Sequence, residues 1–171
     1  MSPRIFSTTQ REELRIKMLE AGFELIKQHG MTHASVEKIT QAAGLGKSTF
    51  YNFFSSKEEF VTDIMEYQRD RVKRHFEQIL NGREKMTAAE GKEYLKLIVF
   101  SRNSIYQYLT AEDMEKLKQA SSPECTSPDD RLYDQREAEI MHGLFDHMEG
   151  IRPDLDLHVV ANLIKIMAMA K

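Results

Sequence analysis

A chain of 171 residues, 41% hydrophobic and 30% charged, has the apolar content for a packed core, which excludes a disordered polymer. Its net charge of −3 divides unevenly: residues 1–57 hold eight Lys/Arg against five Asp/Glu (+3), which leaves −6 for the rest, a split that fits a nucleic-acid contact confined to one end but lies within ordinary fluctuation. One cysteine, Cys125, excludes an internal disulfide framework; no h-region opens the chain, and apolar runs such as 166–170 fall far short of the roughly 18 residues a membrane span needs, so a cytoplasmic location is expected.

No segment alternates apolar and polar residues with period two, and helical periodicity runs from end to end, so an all-α fold is expected. The first helix is predicted over residues 9–28, with Leu14, Met18, Ala21, Leu25 and Ile26 on one face and Gly30 at its end. Ser35 is the N-cap of a second helix over 36–43, Gly44-Leu45-Gly46 makes a tight turn, and a third helix covers 47–53. Ser56 with Glu59 forms a capping box for a long fourth helix that ends at Asn81-Gly82 and carries the stripe Phe60, Ile64, Tyr67, Val72, Phe76 and Ile79. Thr87 with Glu90 opens a helix through Leu97, Ile98, Phe100 and Ile105 to about residue 109, and Thr110 with Asp113 starts a short one to Ala120. A Ser/Pro loop over 121–128 contains Cys125 and is expected at the surface. Ser127 and Pro128 then begin a helix to Gly150, and a last helix runs from Asp154 to the end.

Two short helices joined by a glycine turn and braced by a longer first helix have the spacing of a helix-turn-helix, in which the second short helix enters the major groove. Val36, Ile39, Ala42, Ala43, Leu45 and Phe50 supply the inner faces, with Ala42 and Ala43 small where the helices cross. The outward face of the third helix offers Lys47, Ser48, Thr49, Tyr51 and Asn52, donors and acceptors suited to base edges and phosphates. Lys57 can reach a phosphate from the start of the fourth helix, where the helix dipole adds attraction.

Residues 35–60, with Ala42-Ala43-Gly44, Thr49-Phe50-Tyr51, Phe53-Phe54 and Ser56-Lys57-Glu58 in register, resemble the signature of the tetracycline-repressor family. Ala21-Gly22-Phe23-Glu24-Leu25-Ile26 and His29-Gly30 resemble that family's first helix, so the likeness covers roughly residues 10–65, a little over a third of the chain. The resemblance implies an N-terminal three-helix DNA-binding domain (1–55), joined by the long fourth helix to a helical effector-binding and dimerisation domain (56–171). It implies a homodimer on a palindromic operator in double-stranded DNA, a repressor released by a small-molecule effector, and a location at the nucleoid. By position it assigns DNA contacts to Ser35, Gly46, Lys47, Ser48, Thr49, Tyr51, Asn52 and Lys57. Three residues depart from the pattern: Gly46 stands where a capping residue is common, Thr40 where alanine is usual, and Asn52 where histidine is common.

In the last helix Asp154, His158, Asn162 and Lys165 share one narrow arc at about 100° per residue, and nearly everything else is apolar. A helix apolar almost all round must be covered on several sides, so a dimer interface is expected from Ile140, Leu144, Met148, Val160, Leu163, Ile164 and Met167. The sequence stops inside this helix without a helix-ending signal, which leaves room for residues beyond Lys171. The effector pocket is expected from Tyr67, Arg71, His75, Phe100, Asn103, Tyr106 and Gln107, where Asn103 and Gln107 interrupt an apolar helix. No predicted helix carries a histidine pair at i,i+4, His29 and His33 being separated by the stop at Gly30, and no catalytic constellation stands out, so neither a metal, a cofactor nor an enzyme activity is expected. A rival reading, a regulator-like fold acting mainly through a protein partner with DNA as scaffold, fits the same sequence.

Overall fold

The computed structural model describes residues 7–100, 104–121, 143–152 and 154–169. Among these, regular structure is helical throughout: α1 (Thr8–His29), α2 (Val36–Ala42), α3 (Lys47–Tyr51), α4 (Lys57–Leu80), α5 (Ala88–Phe100), a 3-10 turn (Ile105–Tyr108), α6 (Ala111–Ser121) and α7 (Leu157–Met169). Residues 143–146 are also helical, and one isolated bridge pairs Met86 with Met148.

Most helix starts have a local chemical cause. Ser7 and Gln10 form a reciprocal capping box for α1 (3.2 and 3.0 Å), and Gly30, at φ +77°, returns its N–H to the Ile26 carbonyl at the other end. The Thr87–Glu90 and Thr110–Asp113 boxes open α5 and α6 as expected. At α4 the Ser56 hydroxyl accepts the Glu59 N–H (3.0 Å), but the Glu59 carboxylate turns to the backbone and hydroxyl of Ser55, so the reciprocal arm expected at Ser56 is not made there. These bonds hold the Glu59 carboxyl below its ordinary range, the Ser55 hydroxyl contributing most.

Several expected boundaries move, among them the helix expected to reach Gly150, which stops at Asp146 where the chain turns to bridge Met148 with Met86. α5 ends at Phe100, and the tighter 3-10 turn, closed by Gln107 N–H to the Ser104 carbonyl, carries buried Ile105 where a continuous helix to residue 109 was expected. α7 begins at Leu157, because the Asp156 carboxylate accepts the N–H groups of His158 and Val159. α3 is two residues shorter than expected and ends at Tyr51. Cys125, Ser127, Pro128 and Ile140 lie outside the described residues.

The chain forms two compact units. The first contains residues up to Gln68 together with those from Tyr108 to Ser121; the second contains Arg69 to Gln107 and the described residues beyond 142. The first turns of α4 lie in the first unit with α1, where Phe60, Val61, Ile64 and Met65 are buried. Rings of Phe50, Phe54 and Phe60 pack 4.9–5.1 Å apart as the centre of the first core. The buried side of α1 is Met18, Leu19, Gly22 and Ile26, rotated from the expected stripe; Ala21 and Leu25 are half-buried. Gly22 is required there by contact: a Cβ on it would stand 2.3 Å from Phe60 Cζ. Arg15 bonds Asp63 at 2.7 Å and the Tyr67 hydroxyl donates to Glu20 at 3.0 Å, tying α4 to α1. Burial works against the Arg15 charge, but the bond to Asp63 outweighs it and raises the pKa.

The second unit packs Met86, Tyr94, Leu144, Phe145 and Met148 into its own core, flanked by Phe76, Ile79, Leu80, Leu95, Ile151 and Val160. Met86 accepts from Glu149 N–H (3.0 Å) and donates to the His147 carbonyl (2.9 Å), which pins the segment after residue 146 against the start of α5. Tyr94 donates to the Val72 carbonyl (3.1 Å), and its desolvation pushes the phenol up to about 12. Leu144 and Met148 were expected at a dimer interface; they are instead closed within this core. Val72, expected on the apolar stripe of α4, is exposed.

Candidate nucleic-acid interface

The α2–α3 pair is assembled from local rules. The Ser35 hydroxyl accepts the Lys38 N–H (3.3 Å) and starts α2; Gly44, at φ +67°, reverses the chain, and the Leu45 N–H closes on the Thr40 carbonyl (2.8 Å). Ile39 and Ala43 turn inward from α2 and Phe50 from α3. Ala42, expected at the helix crossing beside Ala43, is exposed: successive helical residues point about 100° apart, and Ala43 is the one of the pair that faces the core. Thr40 is buried, and its hydroxyl donates to the Val36 and Glu37 carbonyls, both at 3.0 Å. The departure from alanine there is thus satisfied within α2.

With Phe50 anchored inside, α3 turns Lys47, Ser48, Tyr51 and Asn52 outward, and Thr49 is half-buried. Tyr51 is 54% exposed, its ring edge-on to Phe50 at 5.4 Å. Gly46 gives α3 no side-chain cap; only its carbonyl, which accepts the Thr49 N–H at 2.9 Å, closes that end. Lys57 is half-buried, and its ammonium donates to the Met31 carbonyl at 3.1 Å, so this expected phosphate contact already has a partner within the unit. Lys47 makes no hydrogen bond or ion pair among the described residues, and its charge faces solvent. All eight expected DNA contacts fall in the first unit.

Sequence reasoning missed Arg11. Its guanidinium donates through Nη2 to the Asn52 carbonyl (2.9 Å) and lies 4.8 Å from the centroid of the Phe53 ring. A signal existed: steps of four, three and four lead from Arg11 through Arg15 and Met18 to Gly22, so the two arginines extend the buried stripe of α1.

The other expected residues separate. Tyr67 lies in the first unit, while Arg71, His75 and Gln107 lie in the second with Tyr106. The His75 ring stacks on Tyr94 at 6.0 Å. Asn103 is outside the described residues, as is the side chain of Phe100. Two open concavities of about 470 and 610 Å³ occur in the second unit, both lined by Phe145, Met148, Gly150, Ile151 and Leu155, and neither is lined by Tyr67, Arg71, His75, Tyr106 or Gln107. On α7, Val159, Leu163, Ile166 and Met167 are each about half or more exposed, whereas Val160 leans on the core; the side chain of Ile164 is not described. Among the described residues no helix is long and apolar enough to cross a membrane, and no group of three His, Cys, Asp or Glu side chains is placed to hold a metal.

Residues 18–64 match the family model described as bacterial regulatory proteins, tetR family. A curated relative, the uncharacterized HTH-type transcriptional regulator YvdT of Bacillus subtilis, is 40% identical over 50 residues, 29% of this chain. That match spans only 26% of the relative's length. Among solved structures, the superantigen PfiT is 16% identical with a TM-score of 0.55, over 92% of this chain and 83% of that one. The transcriptional regulator FadR from Bacillus subtilis, solved with stearoyl-CoA, is 18% identical with a TM-score of 0.52, over 90% and 82%. At such identities the likeness extends the fold, and nothing more, along most of the chain.

Proposed function

On the premise that residues 18–64 make this chain a member of the tetR family, we propose that it is a transcriptional regulator that reads a palindromic DNA site as a homodimer. One observation carries this reading: α3 buries Phe50 and presents Lys47, Ser48, Tyr51 and Asn52 to solvent, a polar face on a helix the size of a major-groove reader. Ser35 at the head of α2, with Gly46, Thr49 and Lys57, flanks that face for backbone contacts. Two half-sites then lie about one helical turn apart, roughly 34–36 Å, or a multiple of it.

The homodimer rests on α7, whose exposed Val159, Leu163, Ile166 and Met167 follow the i, i+4, i+7, i+8 spacing of a packing seam. Binding at a promoter blocks transcription, and a small-molecule effector in the second unit, where Arg71, His75, Tyr106 and Gln107 lie, releases the DNA. Such a regulator works in the cytoplasm at the nucleoid. A gel-shift titration of the full chain against genomic fragments tests the reading. Selective retention of a few fragments, each with an inverted repeat, is expected; equal affinity for all fragments and random duplex would sink it.

A further inference from the structure

We propose that Arg11 is a positioning residue for DNA reading: its guanidinium clamps the C-terminal end of α3 by bonding the Asn52 carbonyl and covering the Phe53 ring. This rests on the reading of α3 as the DNA-contacting helix. α3 has only five residues, too few to be held by its own hydrogen bonds. Its first end has no side-chain cap, because Gly46 has no side chain, and of its residues only Phe50 is buried. Rotation about Phe50 is therefore opposed at the other end, where Asn52 and Phe53 lie just before the buried Phe54.

Arg11 supplies that opposition across 41 residues of sequence. A helix leaves its last carbonyls without partners and concentrates partial negative charge there, so a cation donating to the Asn52 carbonyl is doubly placed. The same planar group lies within cation–π range of Phe53, the next residue. An arginine does both with one planar group, donating from its edge while its face lies on the ring, whereas a lysine ammonium is a point donor without a face to stack. Arg11 forms no ion pair among the described residues, so no carboxylate competes for the guanidinium. Reading groups must be held to within about 0.5 Å and 10–20°, and between the buried rings of Phe50 and Phe54 the clamp fixes the Asn52–Phe53 stretch that neither ring holds directly.

The test uses the full chain, with a duplex selected from a random-sequence library by the unmodified protein and unselected duplex of equal length as the reference. Arg11→Ala is expected to lower the selected-to-random affinity ratio about fivefold and to hasten amide exchange at Phe53 and Phe54 by a similar factor. Arg11→Lys retains the charge and the salt dependence of binding but leaves the ratio low. An unchanged ratio in Arg11→Ala, or full recovery in Arg11→Lys, overturns the clamp as a positioning device. If the unmodified protein selects no duplex, the regulator reading falls and takes this role with it. The exchange rates then still decide whether the clamp itself exists: unchanged rates in Arg11→Ala refute it.

Discussion

Gly22→Ala places one methyl group where α1 meets the Phe60 ring of α4. By helix propensity alone the change stabilises by about 1 kcal/mol, since glycine is a poor interior residue. The new Cβ, however, would stand 2.3 and 2.5 Å from two atoms of the Phe60 ring. That ring is fully buried, with Phe50 and Phe54 centred 5.1 and 4.9 Å away, so it cannot retreat into solvent. Overpacking costs about 1–3 kcal/mol, and a ring wedged between two others belongs at the upper half of that range. The net expectation is a loss of about 1–2 kcal/mol. Urea unfolding at fixed protein concentration, followed by circular dichroism, reads this directly. Phe60→Leu shortens the opposing side chain, so the cost of Gly22→Ala should vanish or reverse in that background, a coupling of about 1–2 kcal/mol. An alanine variant as stable as the parent, or a cost that persists in the Phe60→Leu background, would refute the steric account.

Lys47→Ala should weaken binding to every sequence and make the salt slope shallower by about 0.9, the release of one counterion. Lys57→Ala should do the same and also lower stability by about 1 kcal/mol, because its ammonium holds the Met31 carbonyl; unchanged unfolding in urea would remove that second role. Glu90, bonded first by Arg83 and then by Thr87, is held at about 2, below its ordinary 4.5. A depressed carboxyl stabilises the fold above the unfolded value and loses that contribution as pH falls through about 2, so its NMR titration should be centred there and move up toward 4.5 in Arg83→Ala. Leu163→Asp places a charge in the exposed seam of α7 and should weaken self-association more than about tenfold in sedimentation equilibrium, without unfolding the chain. A dimer of undiminished affinity would move the interface elsewhere.

Local chemistry was legible in the sequence to the level of single bonds. The boxes at Thr87–Glu90 and Thr110–Asp113, the Ser35 cap and the stop at Gly30 all depend on residues within four positions of one another, and the chain states them directly. The buried Phe50 and the outward Lys47, Ser48, Tyr51 and Asn52 followed from one helical period. The errors lie where distant residues compete. Leu14, Ala21 and Leu25 had the same apolar character as Leu19, and the ring of Phe60 against Gly22 decided which side of α1 faced inward. Leu144 and Met148 looked like an intermolecular stripe, but Met86 and Tyr94 cover them within their own unit.

The sequence by itself determined that this chain is helical, where most helices start, and that its third helix shows a polar side to solvent, because caps, turns and helical period are short-range properties of a covalent chain. Tertiary structure decided which apolar side chains meet each other, that the first turns of α4 join the N-terminal unit, and that Arg11 reaches Asn52 across 41 positions. Such choices turn on the shape left between packed elements, and no local pattern encodes a shape that forms only once distant segments have met.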